Sequence, residues 1–321
     1  MFKFVDLFSG IGGMHLACAA QECIMACEVD SASRATYWYN FAIMPHGDIR
    51  TLEEVPRHDL MLAGFPCQPF SISGFQKGFD DVRGNLFFEI IRLIKGSMPA
   101  CVLLENVKNF SKHDKGRSLG IITSSLAELG YYVAWKVLNA KDFGLAQSRE
   151  RTIIIATLDG RFDFSALQER YPEVRIMDIL EREGKIIPKQ DYTLLKTHLI
   201  KRQASGLVFV GYRNKALRNS GVREGTENLS RAHKQPNRIY SSEGVHPTLS
   251  AGETTGRYFI HHQGQVRQLS LREAYRLQGF PEWFQVNPKS TSAYRQIGNA
   301  VPVPMIKSVI NGLQAQGFLK V

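Results

Sequence analysis

Cys67 is the residue of this sequence best suited to act as a nucleophile. It lies in Gly64-Phe65-Pro66-Cys67-Gln68-Pro69-Phe70-Ser71, directly after an apolar run that predicts a strand. Two prolines restrict the backbone on either side of it. Ligands of open α/β sheets bind at the carboxyl ends of the strands. We therefore expect a reactive thiol at this edge, whereas the other four cysteines lie in apolar segments and fit a structural role.

Three charged side chains are predicted to share that edge with the thiol. Glu105 ends the next apolar run, in Leu103-Leu104-Glu105-Asn106-Val107. Gln147-Ser148-Arg149-Glu150-Arg151 begins a later strand, and the alternation of side chains along a strand sends Arg149 and Arg151 to one face. Cationic neighbours favour a thiolate over a thiol. The set predicts nucleophilic catalysis assisted by a carboxyl group.

A glycine-rich turn follows the first predicted strand. Phe8-Ser9-Gly10-Ile11-Gly12-Gly13 permits a tight turn and close approach of a ligand to the backbone. The spacing departs from G-x-G-x-x-G, which disfavours a dinucleotide-dependent dehydrogenase. Glu28 ends the second predicted strand, where a carboxylate can accept hydrogen bonds from ribose hydroxyls. Asp48, after Gly47, fits either an adenine contact or an ordinary turn.

The elements that position these residues alternate between short apolar strands and helical stretches up to about residue 158. This alternation predicts an α/β sheet with crossover helices. The predicted strands are residues 2–7, 24–29, 59–63, 101–104, 131–138 and 151–156. The rhythm is lost from about residue 162 to 263, so we expect a second domain to begin there.

Two helices are predicted after this irregular stretch. In residues 269–277, Ser270 and Glu273 form the S-x-x-E capping-box pattern, and Gly279 and Pro281 follow the end of the helix. Residues 301–313, led in by two prolines, can form a closing helix with an apolar face. We expect this last helix to return to the first domain.

Charge is concentrated in the irregular stretch. The chain of 321 residues has a formal net charge of +10, and residues 185–240 contain twelve Lys or Arg against three Asp or Glu. A basic segment of this kind fits either a polyanionic partner or a solvated loop surface.

The cysteines and the amino terminus limit the class of protein. An odd count of five cysteines argues against a disulfide framework, and the spacing of Cys18, Cys23 and Cys27 does not match a zinc site. The first residues lack the pattern of a secretory signal, and no apolar run approaches a membrane span. We expect a soluble protein of the cytoplasm.

Together the segments resemble the cytosine-5 DNA methyltransferase family. DLFSGIGG, GFPCQPFS, ENV, QSRER, RQLSLREAYRLQGFP and QIGNAVPV occur in the order typical of that family, between Asp6 and Val303. The resemblance implies an α/β fold, with a Rossmann-like sheet typical of S-adenosylmethionine-dependent methyltransferases and a smaller target-recognition domain. We expect residues 1–162 and 285–321 to form the catalytic domain, and residues 163–284 to form the recognition domain.

The resemblance also implies which residues bind S-adenosylmethionine. Glu28 would hold the ribose, Asp48 would accept from adenine, and Phe8 would lie against the adenine ring. The full implied set is Phe8, Gly10, Gly12, Gly13, Glu28, Asp48, Ile49, Pro66, Leu86 and Asn299.

Contacts with double-stranded DNA are implied in two regions. Residues 68–84 match the mobile catalytic loop of the family, where Ser71, Ser73, Lys77 and Arg83 would approach the backbone. In the recognition region Gln235 would fill the space left by the flipped base, and Arg257 is able to pair with guanine. Arg238, Thr248 and Leu249 complete the implied set.

The resemblance implies covalent catalysis on a cytosine turned out of the duplex. The Cys67 thiolate would attack carbon 6, Glu105 would act at ring nitrogen 3, and Arg149, with Arg151, would orient the base. No metal is required. We therefore expect a modification enzyme of a bacterial or phage restriction-modification system. It would act as a monomer without stable contact to its endonuclease. The alternatives are a tRNA cytosine-5 methyltransferase of the same fold and a catalytically silent DNA-binding homologue.

Overall fold

The structure, a computed structural model, describes residues 1–66, 86–167, 171–214 and 225–320. Its backbone contacts divide the chain into two units. The first unit consists of Met1–Asn139, Glu150–Arg170 and Val303–Val321, and the second of Ala140–Arg149 and Tyr171–Pro302. No helix within the described ranges is long and apolar enough to cross a membrane.

The first unit is built on the predicted α/β sheet. Its strands are β1 (Lys3–Leu7), β2 (Glu22–Cys27), β3 (Leu60–Gly64), β4 (Cys101–Val107), β5 (Tyr132–Asn139) and β7 (Glu150–Thr157). They lie in the order β2-β1-β3-β4-β7-β5. The four strands from β2 to β4 are parallel, and β7 runs antiparallel to β4 and β5. In the parallel part of the sheet, the carboxyl ends of β1 to β4 lie at one edge. This is the edge where the functional residues are predicted.

The described residues of the first unit form the helices α1 (Gly13–Ala17), α2 (Ser31–Phe41), α3 (Leu86–Ser97), α4 (Arg117–Glu128) and α7 (Val303–Ala315). Alternate sheet residues such as Val5 and Leu104 pack in one buried cluster with Phe87 and Ile90 of α3 and Ile122 of α4. Burial of each such side chain contributes about 1.5–3 kcal/mol. The closing helix α7 packs against α1, so its predicted return to the first unit is confirmed.

The second unit contains a separate, smaller sheet. Its strands are β8 (Lys185–Ile186), β9 (Tyr192–Leu194), β10 (Phe209–Arg213), β11 (Arg238–Ser241), β13 (Phe259–His262) and β14 (Gln265–Gln268). They lie in the order β8-β14-β13-β11-β10-β9, with a parallel pair at β11-β13 and antiparallel pairs elsewhere. Ile187, Val210, Ile239, Phe259 and Val266 form its apolar core.

The described part of the second unit also contains two short strands and two α-helices. These are β6 (Gln147–Ser148), β12 (His246–Pro247), α5 (Leu271–Arg276) and α6 (Ser290–Asn299). The predicted capping box at the start of α5 is confirmed. The Ser270 hydroxyl accepts from the Glu273 N–H at 3.1 Å, and the Glu273 carboxylate accepts from the Ser270 N–H at 2.7 Å.

The division into units differs from the expected domain boundaries in three places. Residues 140–149 and 285–302 belong to the second unit rather than the first, and the main crossing lies at about residue 170 rather than 162. Residues 285–302 include α6, which packs against α5, and two carbonyl groups near its end bind Arg149. The sequence pattern carries no signal of these contacts, because the acceptors are main-chain atoms.

Candidate active site

A buried ion pair joins two neighbouring strands of the first unit. Arg151 Nε on β7 lies 2.8 Å from Glu105 Oε1 on β4, and both side chains are about a tenth exposed (10% and 11%). Burial lowers the pKa of Arg151, and the Glu105 charge opposes that shift. Glu105 is the register partner of Gly64 on β3, and a Cβ atom placed on Gly64 would lie 3.5 Å from Glu105 Oε2. The second carboxylate oxygen therefore lies beside the strand that ends three residues before Cys67.

Asn106 ties this acid to the segment before the thiol. Its side-chain Nδ2 donates a hydrogen bond to the Phe65 carbonyl at 3.0 Å, and its Oδ1 accepts from the Val107 N–H at 2.9 Å. Asn106 is 3% exposed, and its bond to Phe65 is buried, whereas the bond from Val107 is partly buried. Asn106 is a positioning residue that motif spacing alone does not identify. The available signal was an amide next to a carboxylate at the end of a buried strand.

Arg149 does not share the surroundings of Arg151. Its guanidinium donates to the carbonyls of Leu249 (3.1 Å), Gly298 (3.0 Å) and Ala300 (2.8 Å), all in the second unit. The expectation that alternation sends Arg149 and Arg151 to one site is therefore corrected. Arg149 lies between β6 and β7 in the sequence, outside both strands, so the alternation rule does not apply to it. Its contacts give it a structural role in the second unit.

The glycine-rich turn has the backbone that the sequence predicted. Phe8 (φ 55°), Gly10 (φ 53°) and Gly12 (φ 88°) all lie in the left-handed region. At Gly12 a Cβ atom would also lie 2.1 Å from the Phe41 ring, whereas at Gly10 it would meet nothing within 4 Å. The space over Gly10 is the kind of open backbone surface that a ligand can approach.

Glu28 is fixed at this turn by the backbone. Its Oε2 accepts from the Gly10 N–H at 2.9 Å and its Oε1 accepts from the Asp30 N–H at 2.8 Å. Each carboxylate oxygen can accept a further bond, which suits the two hydroxyls of a ribose. The residues present fit the adenosine part of S-adenosylmethionine. Val29, which we had not singled out, is 71% exposed between Glu28 and Asp30 and offers an apolar surface beside that carboxylate.

The other residues assigned to the cofactor have mixed surroundings. Asp48 pairs with Arg50, and the hydrogen bond from the Arg50 side chain holds the pKa of Asp48 below its usual value. Ile49 is buried in the apolar core of the first unit, so it is a packing residue next to Asp48 in the chain. The remaining four are Gly13 and Leu86 at the starts of α1 and α3, Pro66 on the exposed segment after β3, and Asn299 at the end of α6 in the second unit.

Asp6 is a fully buried acid close to the same turn. It lies on β1, two residues before Phe8, and its carboxyl group is 0% exposed. Burial raises the pKa of Asp6 well above its usual value, and the charge of Glu28 adds to that effect. The neutral form is therefore favoured, which leaves Glu28 as the negative charge at the turn.

Several predicted residues lie outside the described part of the chain. They are Cys67, Ser71, Ser73, Lys77 and Arg83. The other four cysteines, Cys18, Cys23, Cys27 and Cys101, are free thiols.

The residues assigned to DNA in the second unit divide into two groups. Leu249 is 1% exposed, and its N–H and carbonyl bind Gln147 and Arg149, so its side chain is a packing residue in the structure, and its expected contact with DNA stays a prediction. Thr248 donates its hydroxyl to the Ser148 carbonyl at 3.0 Å and accepts from Gln235 through its own carbonyl at 2.8 Å. The side chains of Gln235, Arg238, Thr248 and Arg257 are only partly buried or exposed and are available to a ligand.

Known proteins resemble this one over nearly the whole chain. The sequence profile of the C-5 cytosine-specific DNA methylases matches residues 2–315. The chain is 36% identical to the Type II methyltransferase M.HhaI of Haemophilus parahaemolyticus over 96% of this chain and 92% of that protein. It is 36% identical to M.NlaX of Neisseria lactamica over 98% and 97%.

Solved structures show the same fold at lower identity. The S. pombe Dnmt2 methyltransferase has a TM-score of 0.68 at 22% identity, with coverage of 99% of this chain and 100% of that one. The Entamoeba histolytica methyltransferase EhMeth has a TM-score of 0.67 at 15% identity, with coverage of 98% of each chain. The chain therefore belongs to the C-5 cytosine-specific DNA methylase family and is a DNA cytosine-5-methyltransferase.

Proposed function

We propose that the protein methylates carbon 5 of a cytosine turned out of a short, specific duplex DNA sequence, with S-adenosylmethionine as methyl donor and Cys67 as nucleophile. The observation that carries this proposal is the buried Glu105–Arg151 pair beside Gly64, three residues before Cys67. A thiol, a carboxyl group and a guanidinium form the set that activation of a pyrimidine ring requires.

The thiol is needed because carbon 5 of cytosine is a poor nucleophile. Addition of the Cys67 thiolate to carbon 6 places the electrons of the former 5,6 double bond on carbon 5 and ring nitrogen 3. A proton that is taken up with the base and shared between Glu105 Oε2 and nitrogen 3 stabilises the charge that develops there. Transfer of the methyl group to carbon 5 would leave S-adenosylhomocysteine as product, and loss of the carbon-5 proton to a base then restores the double bond and expels Cys67.

Arg151 is proposed to hold both Glu105 and the base. Its Nε is occupied by Glu105 Oε1, and the guanidinium retains other donors for an acceptor such as the cytosine carbonyl oxygen. This assignment moves the base-orienting role from Arg149 to Arg151. Arg149 becomes a residue that stabilises the second unit through three carbonyl groups.

The first unit is proposed to bind the cofactor at the turn formed by Phe8, Gly10 and Gly12. S-adenosylmethionine supplies an electrophilic methyl group on a positively charged sulfur. Glu28 holds the ribose hydroxyls, while its fixed position comes from the N–H groups of Gly10 and Asp30. Asp48 and Val29 line the adenine, and the negative charge of Glu28 favours a cationic ligand.

The second unit is proposed to recognise DNA. Its basic stretch supplies attraction to phosphates, and the partly exposed Gln235, Arg238, Thr248 and Arg257 supply groups for the bases. The relatives compared are Type II methyltransferases, which supports a role in marking DNA against a cognate restriction endonuclease. We propose that the protein acts as a monomer that needs no stable contact with that endonuclease.

Trapping with 5-fluorocytosine tests the chemistry directly. Fluorine on carbon 5 cannot leave as a proton, so a methylated adduct remains attached to Cys67. A plasmid methylated by the protein is first sequenced after bisulfite treatment to find the target. A duplex with 5-fluorocytosine at that target should then give a protein–DNA adduct that survives denaturing electrophoresis and requires S-adenosylmethionine.

Two variants make the trapping result specific. Cys67→Ser should give no adduct and no methylation, whereas Cys23→Ser, a half-buried cysteine of the first unit, should retain both. Methylation that persists in Cys67→Ser would overturn the thiol mechanism. Methylation of a tRNA transcript, with none of plasmid DNA, would instead assign the substrate to RNA.

A further inference from the structure

Glu253 organises the loop between residues 250 and 258 in the second unit. Its Oε1 accepts from the Thr255 N–H at 2.9 Å and from the Thr255 hydroxyl, and the Arg257 N–H lies 3.4 Å away. Its Oε2 accepts from Arg257 Nε at 3.0 Å and lies 2.9 Å from Arg257 Nη2. The Glu253 side chain is 4% exposed, although it carries a charge. Such a buried carboxylate is retained only when its partners replace water.

The charge of Glu253 is maintained by these partners. Burial acts to raise the pKa of Glu253, but hydrogen bonds from Thr255 and Arg257 outweigh it and leave the pKa below its usual value. The carboxylate is therefore ionised at neutral pH and remains a fixed acceptor for the guanidinium.

Arg257 is held at one side and open at the other. Its side chain is 49% exposed, while Nε and Nη2 face Glu253. Among the described residues, Nη1 has no hydrogen-bond partner. A guanidinium carries its donors in a rigid planar fork, so fixing the Nε side fixes the direction of the opposite Nη1/Nη2 side. That side is suited to two acceptors that lie in one plane.

The backbone around Arg257 is also fixed. Gly256 has φ 67°, and a Cβ atom there would lie 2.3 Å from the Tyr294 ring. The Gln268 side chain donates to the Gly256 carbonyl at 2.6 Å, and Tyr258 donates to the Ser250 carbonyl at 3.3 Å. The loop therefore presents Arg257 from a constrained position.

Arg257 borders two cavities of the second unit. One, of about 380 Å³, is also lined by Lys185, Arg213, Asn237 and Gln268. The other, of about 270 Å³, is also lined by Gln235, Ser250 and Tyr258. Cations, amides and hydroxyls at the wall of an open cavity are the groups that read base edges.

We propose that Glu253 is a positioning residue that holds Arg257 to read a guanine of the recognition sequence in the major groove. Guanine presents N7 and O6 as two coplanar acceptors on that edge, and the open Nη1/Nη2 side of Arg257 offers two coplanar donors. The inference rests on the proposed recognition of duplex DNA by the second unit. It adds that the target contains a guanine whose identity depends on Glu253 as well as Arg257.

Selection from a random duplex pool tests the inference without relying on catalysis. Duplexes bound by a Cys67→Ala protein are sequenced, and the selected sequence is compared with that of Cys67→Ala proteins carrying Arg257→Ala or Glu253→Gln. One guanine position should become degenerate in both, while the other positions persist. Arg257→Lys should retain only part of the preference, because an ammonium lacks the planar fork.

A modified base separates base reading from phosphate binding. Replacing that guanine by 7-deazaguanine removes N7 and leaves the phosphates unchanged. The protein with an unsubstituted loop should bind the 7-deazaguanine duplex about tenfold to a hundredfold more weakly than the guanine duplex. The Arg257→Ala protein should bind the two duplexes equally. This comparison uses a protein whose loop is intact, so it does not depend on folding of the variants.

Arg202→Ala is the matched control. Arg202 also pairs with a glutamate, Glu173, and its side chain is 50% exposed. Its loss should weaken binding equally for all sequences. A selected sequence unchanged in Arg257→Ala, or an equal loss for all sequences, would overturn the inference. Selection of no duplex sequence at all would instead contradict the proposed recognition of DNA.

Discussion

At the scale of single residues, the site depends on which partner each charged group has. Glu105 and Arg151 are both about a tenth exposed and face each other, so neither charge is isolated from a counter-charge. Arg149, two residues before Arg151, binds carbonyl oxygens instead. Two arginines that look equivalent in the sequence therefore have different roles, and mutation should separate them.

Glu105→Gln should lower the rate of methyl transfer by about 10²- to 10⁴-fold, because an amide cannot supply a proton at nitrogen 3. Affinity for S-adenosylhomocysteine, measured by calorimetry, should change little. Glu150→Gln is the control, since Glu150 pairs with Lys108 on the surface of the same unit. A Glu105→Gln enzyme with the parental single-turnover rate would remove Glu105 from the chemistry.

Arg149→Met should act mainly on stability. It leaves the buried carbonyl groups of Leu249 and Gly298 without their donor, at about 1–3 kcal/mol for each, while the Ala300 carbonyl still accepts from the Gln278 side chain at 3.2 Å. The free energy of unfolding in urea should fall by at least about 2 kcal/mol. Arg117→Met, which breaks an exposed pair with Asp114, should cost less than about 1 kcal/mol. Equal losses in the two variants would contradict the structural role of Arg149.

At the scale of elements, β3 and β4 end side by side and place their terminal residues together. The parallel register sets Gly64 opposite Glu105, and Asn106 then reaches the Phe65 carbonyl. The segment that leads to Cys67 is thus attached to the strand that carries Glu105, the proposed catalytic acid.

Asn106→Asp should show how much this attachment matters. A carboxylate in place of the amide sets an oxygen against the Phe65 carbonyl, so the segment is pushed away. We expect a loss in kcat of about a hundredfold, as for an ångström-scale misplacement of reacting groups, with KM for the cofactor nearly unchanged. Asn106→Ala removes the bond without repulsion and should lose less. The opposite order of the two variants would argue against the attachment.

The elements also show what the sequence can and cannot predict. The alternating strands, the capping box at Ser270 and the return of α7 follow from local patterns, and each is confirmed. The glycine turn and Glu28 also follow, because they sit at strand ends. The partners of Arg149 could not be predicted, because they are carbonyls that any sequence offers. The pair of Glu253 with Arg257 depends on a loop whose shape is set by distant Tyr294.

At the scale of the whole molecule, stability should vary with pH through Asp6. Folding raises the pKa of Asp6 through burial and the Glu28 charge. The contribution of such a group is fully present below its unfolded pKa of about 3.9 and is lost as pH rises through the folded pKa. Asp6→Asn removes this dependence. The Tm of Asp6→Asn minus the Tm of the parent should therefore increase as pH rises above about 4.

Thermal unfolding at several pH values measures that difference. Burial lowers the pKa of His15 to about 4, and its opposite dependence is present in both proteins, so it cancels in the comparison. A difference in Tm that is independent of pH would show that Asp6 is ionised in the folded protein.

The side chains of Gln147 and Arg149 hold the second unit mainly through its main-chain atoms. Gln147 donates to the Leu277 carbonyl and accepts from the Leu249 N–H, and Arg149 binds three more carbonyls. These bonds are made to main-chain atoms, so none requires a particular side chain at position 249, 277 or 300, whereas a Cβ atom at Gly298 would lie 2.5 Å from the Ala251 nitrogen. A segment with other side chains can therefore be held in the same way, provided that it keeps Gly298 and that its backbone follows the same path. If the second unit recognises DNA as proposed, new target sequences can arise by substitution in its loops while the hydrogen bonds of Gln147 and Arg149 stay unchanged.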